Sequence, residues 1–474
     1  MSTLVAPPAR TLTAPRSTRR WLALSVLALA QFLVVLDASI VNIALPVLGR
    51  QLGMDTAALA WVITAYVLAF GGLLLLGGRL ADRYGHRRVF LLGALGFVVA
   101  SALAGLSVLP AMLLTARALQ GACAALLAPA ALALLTHLFP DDTERTRALG
   151  VWGAVAGIGS AAGVLLGGIL TATLGWQSVF FVNVPVGALV LIVVPLLITR
   201  DTVRAAGRLD VPGALTVTAA LVSLVGAFSA VEQLGFLHPL PVVLCAAALV
   251  LALAFIVIER RTPEPLLPLT VFRNRDLALG NVVMLLGGAA MVALFFALSV
   301  FMQEVLGYDA LATGLTQLPL AAALVIVAGV VPVLIARAGG RVVLAASLVG
   351  LGSGLVWLAF APSDAVFLVH LLGPTLLIGV GLGGAFVAIT QLAVDGVHGG
   401  EAGLAGGLIN TSQQIGGAVG LAVLGSIAGL RTSALDLAGA SPADALTGGF
   451  AWLFLGAAAL SLLGAGVVAV WRRV

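Results

Sequence analysis

The stretch Gly77–Leu91, GGRLADRYGHRRVFL, carries Arg79, Asp82, Arg83, Arg87 and Arg88 between two long apolar runs. In a soluble protein such a run would sit on any solvated face. Here both flanks are long enough to cross a bilayer core of about 30 Å, which takes ~20 helical residues. The stretch therefore reads as a tight, charged hairpin between two transmembrane helices. Outward from it the same texture repeats, with 61% of residues hydrophobic and only 9% charged, against about 25% charged in soluble domains. Lipid satisfies no backbone group, so only helices or a closed barrel can span it. The apolar runs lack the period-two alternation of barrel strands. The expected class is an all-α polytopic membrane protein.

The apolar blocks divide into fourteen predicted spans, roughly 21–46, 57–78, 89–108, 111–138, 146–170, 177–199, 210–231, 239–259, 277–303, 311–336, 341–361, 365–394, 402–429 and 448–471. Lys is absent, so all 24 basic residues are Arg, and 21 of them fall in the N-terminal tail and in the loops or end after even-numbered spans. Arg50 and Arg431 fall on the other side, and Arg117 alone within a span. Positive loops stay cytoplasmic, so both termini are expected inside a plasma membrane, and a miscount of one span would scramble the asymmetry. The net charge of +5 is thereby explained as topology, with no nucleic-acid partner. Residues 1–20 read as a cytoplasmic tail without the short apolar core of a removable signal.

The loop Arg337-Ala-Gly-Gly-Arg341 looks like a worn copy of the Gly77–Leu91 hairpin. That implies two six-helix halves, 21–200 and 277–474, with an inserted helix pair at 201–260 and a proline-rich cytoplasmic linker at 261–276. Paired halves rocking around a midplane site are a transporter design.

Charges inside a membrane are expensive and point to function. Two qualify: Asp37 in LDASIVNIALP (Leu36–Pro46) and Arg117 in RALQGACAALLAP (Arg117–Pro129). Asp37 lies about sixteen residues, roughly 24 Å of helix, beyond Trp21. Low dielectric favours the neutral acid, which suits loading and release of a proton. A structural pair, or solvation near the outer interface, would also accommodate it. Arg117 stays charged, and either tunes the proton site or anchors the structure. Gln120 shares its face at i+3.

In the fifth span Gly159, Gly163 and Gly167 recur every four residues, with Gly168 following, a stripe that lets membrane helices approach closely. In the thirteenth, Asn410, Gln413 and Gln414 share a face. These amides and Gln120 fit a cavity wall that meets an uncharged surface, and the amides fit interhelical hydrogen bonding equally well. Cys123 and Cys245 lie in apolar runs and argue for neither a disulfide framework nor a metal site. No nucleotide loop of the G-x-x-x-x-G-K-[ST] type occurs, since it requires Lys.

Several of these stretches resemble signatures of one family. G-R-L-A-D-R-x-G-x-R-R within Gly77–Leu91 is similar to the loop between the second and third helices of major facilitator superfamily transporters. LDASIVNIALP and RALQGACAALLAPA resemble the first- and fourth-helix motifs of the fourteen-helix drug:proton antiporters. GIGSAAGVLLGG (Gly157–Gly168) resembles the antiporters' fifth-helix motif, with Gly163-Val164 where the family has Gly-Pro. LGWQSVFFVNVPVG (Leu174–Gly187), FMQEVLGYDALATGLTQLPLA (Phe301–Ala321) and GLAGGLINTSQQIGGAVGLAVLGS (Gly403–Ser426) extend the resemblance along the chain.

The resemblance implies proton-driven export of lipophilic compounds, drugs or secondary metabolites, by a chain that is not an enzyme and needs no cofactor beyond the proton gradient. It implies Asp37 as the coupling acid and Arg117 as its modulator. It further implies a cytoplasmic latch of Gly78, Asp82, Arg83, Gly85 and Arg87, with Asp82 expected to cap the thirteenth span near 402–406. A functional monomer in a bacterial membrane is expected. The rivals are uptake of a small solute and a non-transporting membrane sensor.

Overall fold

The computed structural model describes residues 17–199, 209–235, 238–267, 269–395 and 402–470. Among these, fourteen helices are long and apolar enough to cross a membrane, and no strand occurs. In chain order they are α1 (Ser17–Leu52), α2 (Thr56–Tyr84), α3 (His86–Gly105), α4 (Pro110–Leu138), α5 (Asp142–Leu174), α6 (Ser178–Phe181) with α7 (Asn183–Leu197), α8 (Val211–Leu234), α9 (Pro239–Arg261), α10 (Arg275–Val300), α11 (Ala310–Ala338), α12 (Gly340–Ala359), α13 (Leu372–Asp395), α14 (Ala402–Leu437) and α15 (Pro442–Val470). The sixth crossing is interrupted at Val182 into α6 and α7. An even number of crossings brings Ser17 and Val470 out on one face.

The helices outrun the predicted spans. Ser17–Arg20, expected in the tail, already belong to α1, which continues through Pro46 to Leu52. Hydropathy marks where the chain leaves lipid, and a helix has no need to stop there. Arg19 donates to Leu196 O at 2.7 Å and Arg20 pairs with Glu144 at 2.9 Å, so the first turn is tied to α7 and α5. The remainder of the predicted tail lies outside the described residues.

Packing follows a two-fold pattern. In the first half α4 packs on α2 and α3, and α1 on α5; in the second, α13 packs on α11 and α12, and α10 on α14. The same turn recurs at corresponding places. Gly85 (φ 97°) ends α2 and starts α3, and Gly339 (φ 86°) ends α11 and starts α12; their N–H groups donate to Ala81 O and Ile335 O, each at 2.9 Å. That backbone conformation suits only glycine, so the two charged hairpins share one geometry although the second lacks the Asp. The inserted pair attaches through α8, which packs on α2 and α14, while α9 leans chiefly on α8.

The halves meet along α2–α14 and α5–α11. Away from the terminal face the seam is closed. Arg50 pairs with Glu304 and Gln303 donates to Ile43 O at 2.9 Å. A Cβ on Gly168 would stand 2.8 Å from Ala310 O, and one on Gly314 2.8 Å from Val164 O. Gly157 still faces Val325 at 3.3 Å. Continuing that antiparallel register toward the terminal face sets Gly153 against Gly329, yet a Cβ at either meets no described atom within 4 Å. On the other seam a Cβ on Gly71 would stand 2.8 Å from Gln414 Cβ, whereas one on Gly406 or Gly407 would meet nothing described. Among the described residues the seams are thus closed on the far face and open at these glycines toward the face that carries Ser17 and Val470.

This geometry predicts the reciprocal movement. With Cys123 and Cys245 replaced by Ala, a Gly153→Cys/Gly329→Cys pair should form little disulfide in this conformation. Adding Glu304→Gln, which breaks the far-side ion pair, should raise the yield; an unchanged yield would count against rocking of the two halves.

Candidate functional site

The site is built on α1. Just past the middle of this 36-residue helix stands Asp37, with no exposed surface. Gly159, Gly163 and Gly167 of α5 seat this part of α1: a Cβ at Gly163 would lie 2.6 Å from Ser39 Cβ, and one at Gly167 2.9 Å from Ile40 O. The glycine stripe therefore presses helix backbone on helix backbone beside Asp37 and leaves no room to slide. Gly168, on the next face, contacts α11 instead.

Arg117 and Gln120 of α4, one turn apart, reach the carboxylate together. Arg117 Nη1 donates to Asp37 Oδ2 at 2.6 Å and to Gln120 Oε1 at 2.7 Å. Gln120 Nε2 donates to Asp37 Oδ1 at 2.7 Å and to Ser101 Oγ of α3 at 2.7 Å. Asn183 Nδ2, from the first turn of α7, donates to Asp37 Oδ1 at 2.8 Å and to Ser101 Oγ at 3.2 Å. Arg117 Nε donates to Val62 O of α2 at 3.1 Å, and its guanidinium lies 4.3 Å from the centre of the Tyr66 ring. Asp37, Ser101, Arg117, Gln120 and Asn183 are all at most 1% exposed.

Taking two charges out of water costs several kcal/mol for each ion, which only close pairing and further hydrogen bonds can offset. Here the carboxylate receives three donors and the guanidinium has a carboxylate, an amide oxygen, a carbonyl and a ring face. The network joins five crossings of one half. Arg117 thus holds one carboxylate oxygen, and Gln120 and Asn183 hold the other. Two polar atoms remain without a partner inside it, Tyr66 Oη and Asn183 Oδ1.

Sequence reasoning put Gln120 on a cavity wall, but its amide is fully buried as the bridge between Arg117, Asp37 and Ser101. It missed Asn183, Ser101 and Tyr66. Asn183 carried a usable signal, a lone amide in the apolar stretch VFFVNVPVG. Ser101 carried none, because small hydroxyls occur throughout such helices without meeting an acid; Tyr66 carried a weak one, as the only one of three tyrosines inside a predicted span.

The other expected residues are dispersed. In the charged hairpin His86 Nε2 lies 3.1 Å from Asp82 Oδ1, its ring 4.9 Å from that of His137, and Arg87 donates to Pro195 O at 3.3 Å. Arg83 stacks on Tyr84 at 5.7 Å, and Gly78 faces Pro129. Asp82 is thus engaged within its own hairpin; its expected contact near 402–406 falls largely on side chains outside the described set. On α14, Asn410 is half-buried, Gln413 Nε2 lies 3.9 Å from Met291 Sδ of α10, and Gln414 faces Gly71 of α2. The amide face therefore lies along both the intra-half and inter-half seams. Among the described residues no group of His, Cys, Asp and Glu could hold a metal.

The sequence from residue 27 to 421 matches the family model described as Major Facilitator Superfamily. The chain belongs to the major facilitator superfamily. Its relatives include the puromycin resistance protein pur8 of Streptomyces alboniger, 42% identical over 434 residues, or 91% of this chain and 86% of the relative. The cephamycin export protein CmcT of Amycolatopsis lactamdurans is 43% identical over 87% of this chain and 85% of its own. The tetracenomycin C resistance and export protein of Streptomyces glaucescens is 35% identical over 87% and 77%.

Two solved structures share the fold. One is the nucleoside transporter NupG (TM-score 0.66, 14% identity, 95% of this chain and 99% of that chain). The other is an auto-inhibited POT family peptide transporter (TM-score 0.70, 17% identity, 96% and 98%). At such identities they speak for architecture alone.

In this major facilitator chain the Asp37–Arg117 pair makes a measurable prediction. Removing either partner strands a buried charge and should cost about 3–5 kcal/mol. Asp37→Asn and Arg117→Gln should each lower the midpoint of thermal unfolding in detergent, and the double variant should recover much of the loss. Additive losses would show that the two side chains do not act as a pair. A second, local test uses the glycine stripe: Gly163→Ala should lower the midpoint, overpacking costing about 1–3 kcal/mol, whereas Gly153→Ala, with open space around it, should leave it unchanged or raise it.

Proposed function

We propose that this chain is a proton-coupled exporter, moving lipophilic drugs or secondary metabolites out across the plasma membrane in exchange for inward protons. The observation that carries the reading is the buried Asp37, an acid in the membrane whose ion pair a proton would dissolve. Relatives named for puromycin resistance and for cephamycin and tetracenomycin export, aligned over most of both chains, support the cargo class and the direction.

In the mechanism, deprotonated Asp37 holds Arg117 and so ties α1 to α4, with Asn183 drawing in α7. A proton from outside neutralises Asp37 and releases Arg117 to its remaining acceptors, Gln120 Oε1 and Val62 O. The helices that share the network then repack, which favours one orientation of the halves over the other. Release of the proton inside restores the pair. The proton gradient is the sole driving force, with no cofactor, and one chain suffices because it contains both rocking halves. The arginine asymmetry supports a cytoplasmic position for the terminal face, where cargo would load.

The test is dye efflux into everted vesicles containing the purified protein, under an imposed pH gradient. Wild type should concentrate dye only while the gradient stands, and Asp37→Asn, matched for folded protein, should lose that dependence. Equal gradient-driven accumulation by both would refute the role of Asp37. Gradient-driven movement of a small solute in the opposite direction would favour uptake.

A further inference from the structure

Asp37 can take a proton on either carboxylate oxygen, and its neighbours treat the two oxygens differently. Oδ2 faces Arg117 Nη1 at 2.6 Å, and a guanidinium has only donors. Oδ1 faces two amides, Gln120 Nε2 at 2.7 Å and Asn183 Nδ2 at 2.8 Å. An amide has a donor end and an acceptor end, and its terminal torsion is roughly two-fold. A half-turn about that bond therefore exchanges NH2 for C=O with little change of shape.

Of the two amides, Asn183 is the one free to make that turn. Gln120 Oε1 accepts from Arg117 Nη1 at 2.7 Å, so turning Gln120 would set its NH2 against the guanidinium. Asn183 Oδ1 is buried and has no hydrogen-bond partner among the described residues, so turning Asn183 breaks nothing on that side. Ser101 favours the same turn. Its Oγ accepts from Gln120 Nε2 at 2.7 Å and from Asn183 Nδ2 at 3.2 Å, and no described acceptor takes its own proton. An unused acceptor and an unused proton thus stand beside the acid. Arg117 is the charged side chain at the site, with the Tyr66 ring stacked on it. Between their ends α2, α3, α5, α7, α10 and α11 carry no charge.

We propose that the proton which neutralises Asp37 settles on Asp37 Oδ1, and that the Asn183 amide turns to hold it there. In the ionised state Asn183 Nδ2 donates to Asp37 Oδ1 and to Ser101 Oγ. In the protonated state Asn183 Oδ1 takes that place and accepts from the new Asp37 hydroxyl and from Ser101. One O–H bond forms, with the proton supplied by water, and no other covalent bond changes. Both hydrogen bonds of Asn183 are kept with their direction reversed, and the Ser101 hydroxyl gains an acceptor. Asp37 Oδ2 becomes a neutral carbonyl, so Arg117 keeps a hydrogen bond there but loses the ion pair. The proton thus loosens α4 from α1, while α7 stays tied to α1 in both states. The inference rests on the reading of Asp37 as the coupling acid.

The experiment is infrared difference spectroscopy, taken while the pH is lowered, on the purified full-length protein in lipid nanodiscs. The five Asn residues carry 13C at Cγ, which separates their amide C=O bands from those of the backbone and Gln. Acidification should raise a carboxyl C=O band that Asp37→Ala lacks. With the same midpoint, one labelled amide band should move to lower frequency, because its oxygen becomes an acceptor. That movement should be absent in Asn183→Leu, where the Asp37 band should lie at higher frequency because its hydroxyl has lost an acceptor. It should be absent equally from Asn183→Gln, whose amide carries no label.

An Asp37 band with no amide movement would overturn the rotation, as would a movement that survives either substitution of Asn183. Both results leave Asp37 standing as the proton carrier. A wild-type spectrum with no band beyond that of Asp37→Ala would overturn the rotation and that reading together, so the two failures are told apart. The wild-type titration carries the carboxyl and amide readouts in one sample. Poor folding of a variant therefore leaves the test decisive, since separate midpoints for the two bands would also overturn the rotation.

Discussion

A carboxylate and a guanidinium shut away from water in the middle of a membrane helix bundle leave the surrounding helices little freedom. Either charge alone would be ruinous at that depth, so both must be present, close, and saturated with hydrogen bonds. Satisfying Asp37 takes Arg117 and Gln120 from α4 and Asn183 from α7, and satisfying Arg117 adds Val62 and Tyr66 from α2. Ser101 from α3 then receives the remaining amide protons. One ion pair thereby specifies how five crossings of the first half meet. The glycines of α5 complete the setting, since only a surface without side chains brings that helix against α1 at Ser39 and Ile40.

The second half repeats the packing with its described ion pair, Arg341 with Asp276, at a helix end and not in mid-span. Its hairpin at Gly339 keeps the turn of Gly85 but not the Asp, and its buried polar contacts are neutral, such as Ser412 to Asn281 at 2.7 Å and Gln317 to Ser299 at 3.1 Å. Among the described residues the fully buried acid–arginine pair therefore lies in one half alone. Among the described residues the seams between the halves are close glycine contacts, joined at the far face by the Arg50–Glu304 ion pair and the Gln303–Ile43 hydrogen bond. Close backbone packing of this kind separates without stranding polar groups, which suits surfaces that must part and rejoin.

Much of the architecture was legible before any coordinates. Apolar blocks of bilayer length and the arginine bias gave the crossings, because the cost of unsatisfied backbone and of charge in lipid acts on each segment independently. Asp37 and Arg117 stood out for the same reason. What the sequence hid is which face each helix turns inward. In soluble helices polarity marks the outer face, but a span that is apolar all round carries no such mark. Gln120 was accordingly set on a cavity wall when it lies at the centre of the acid network, and Ser101 and Tyr66 passed unnoticed. The helix ends were hidden too: Ser17–Arg20 and the turns beyond Pro46 continue α1 because the helix is held by contacts such as Arg20–Glu144, to which hydropathy is blind.

In the proposed exchange a proton and Arg117 compete for Asp37, and cargo binding is linked to the outcome. The most direct measurement is proton release from the purified protein in weakly buffered solution when a lipophilic cation such as ethidium binds. Release is expected from the wild type and none from Asp37→Asn under conditions where both bind the dye. Equal release from the two proteins would contradict it.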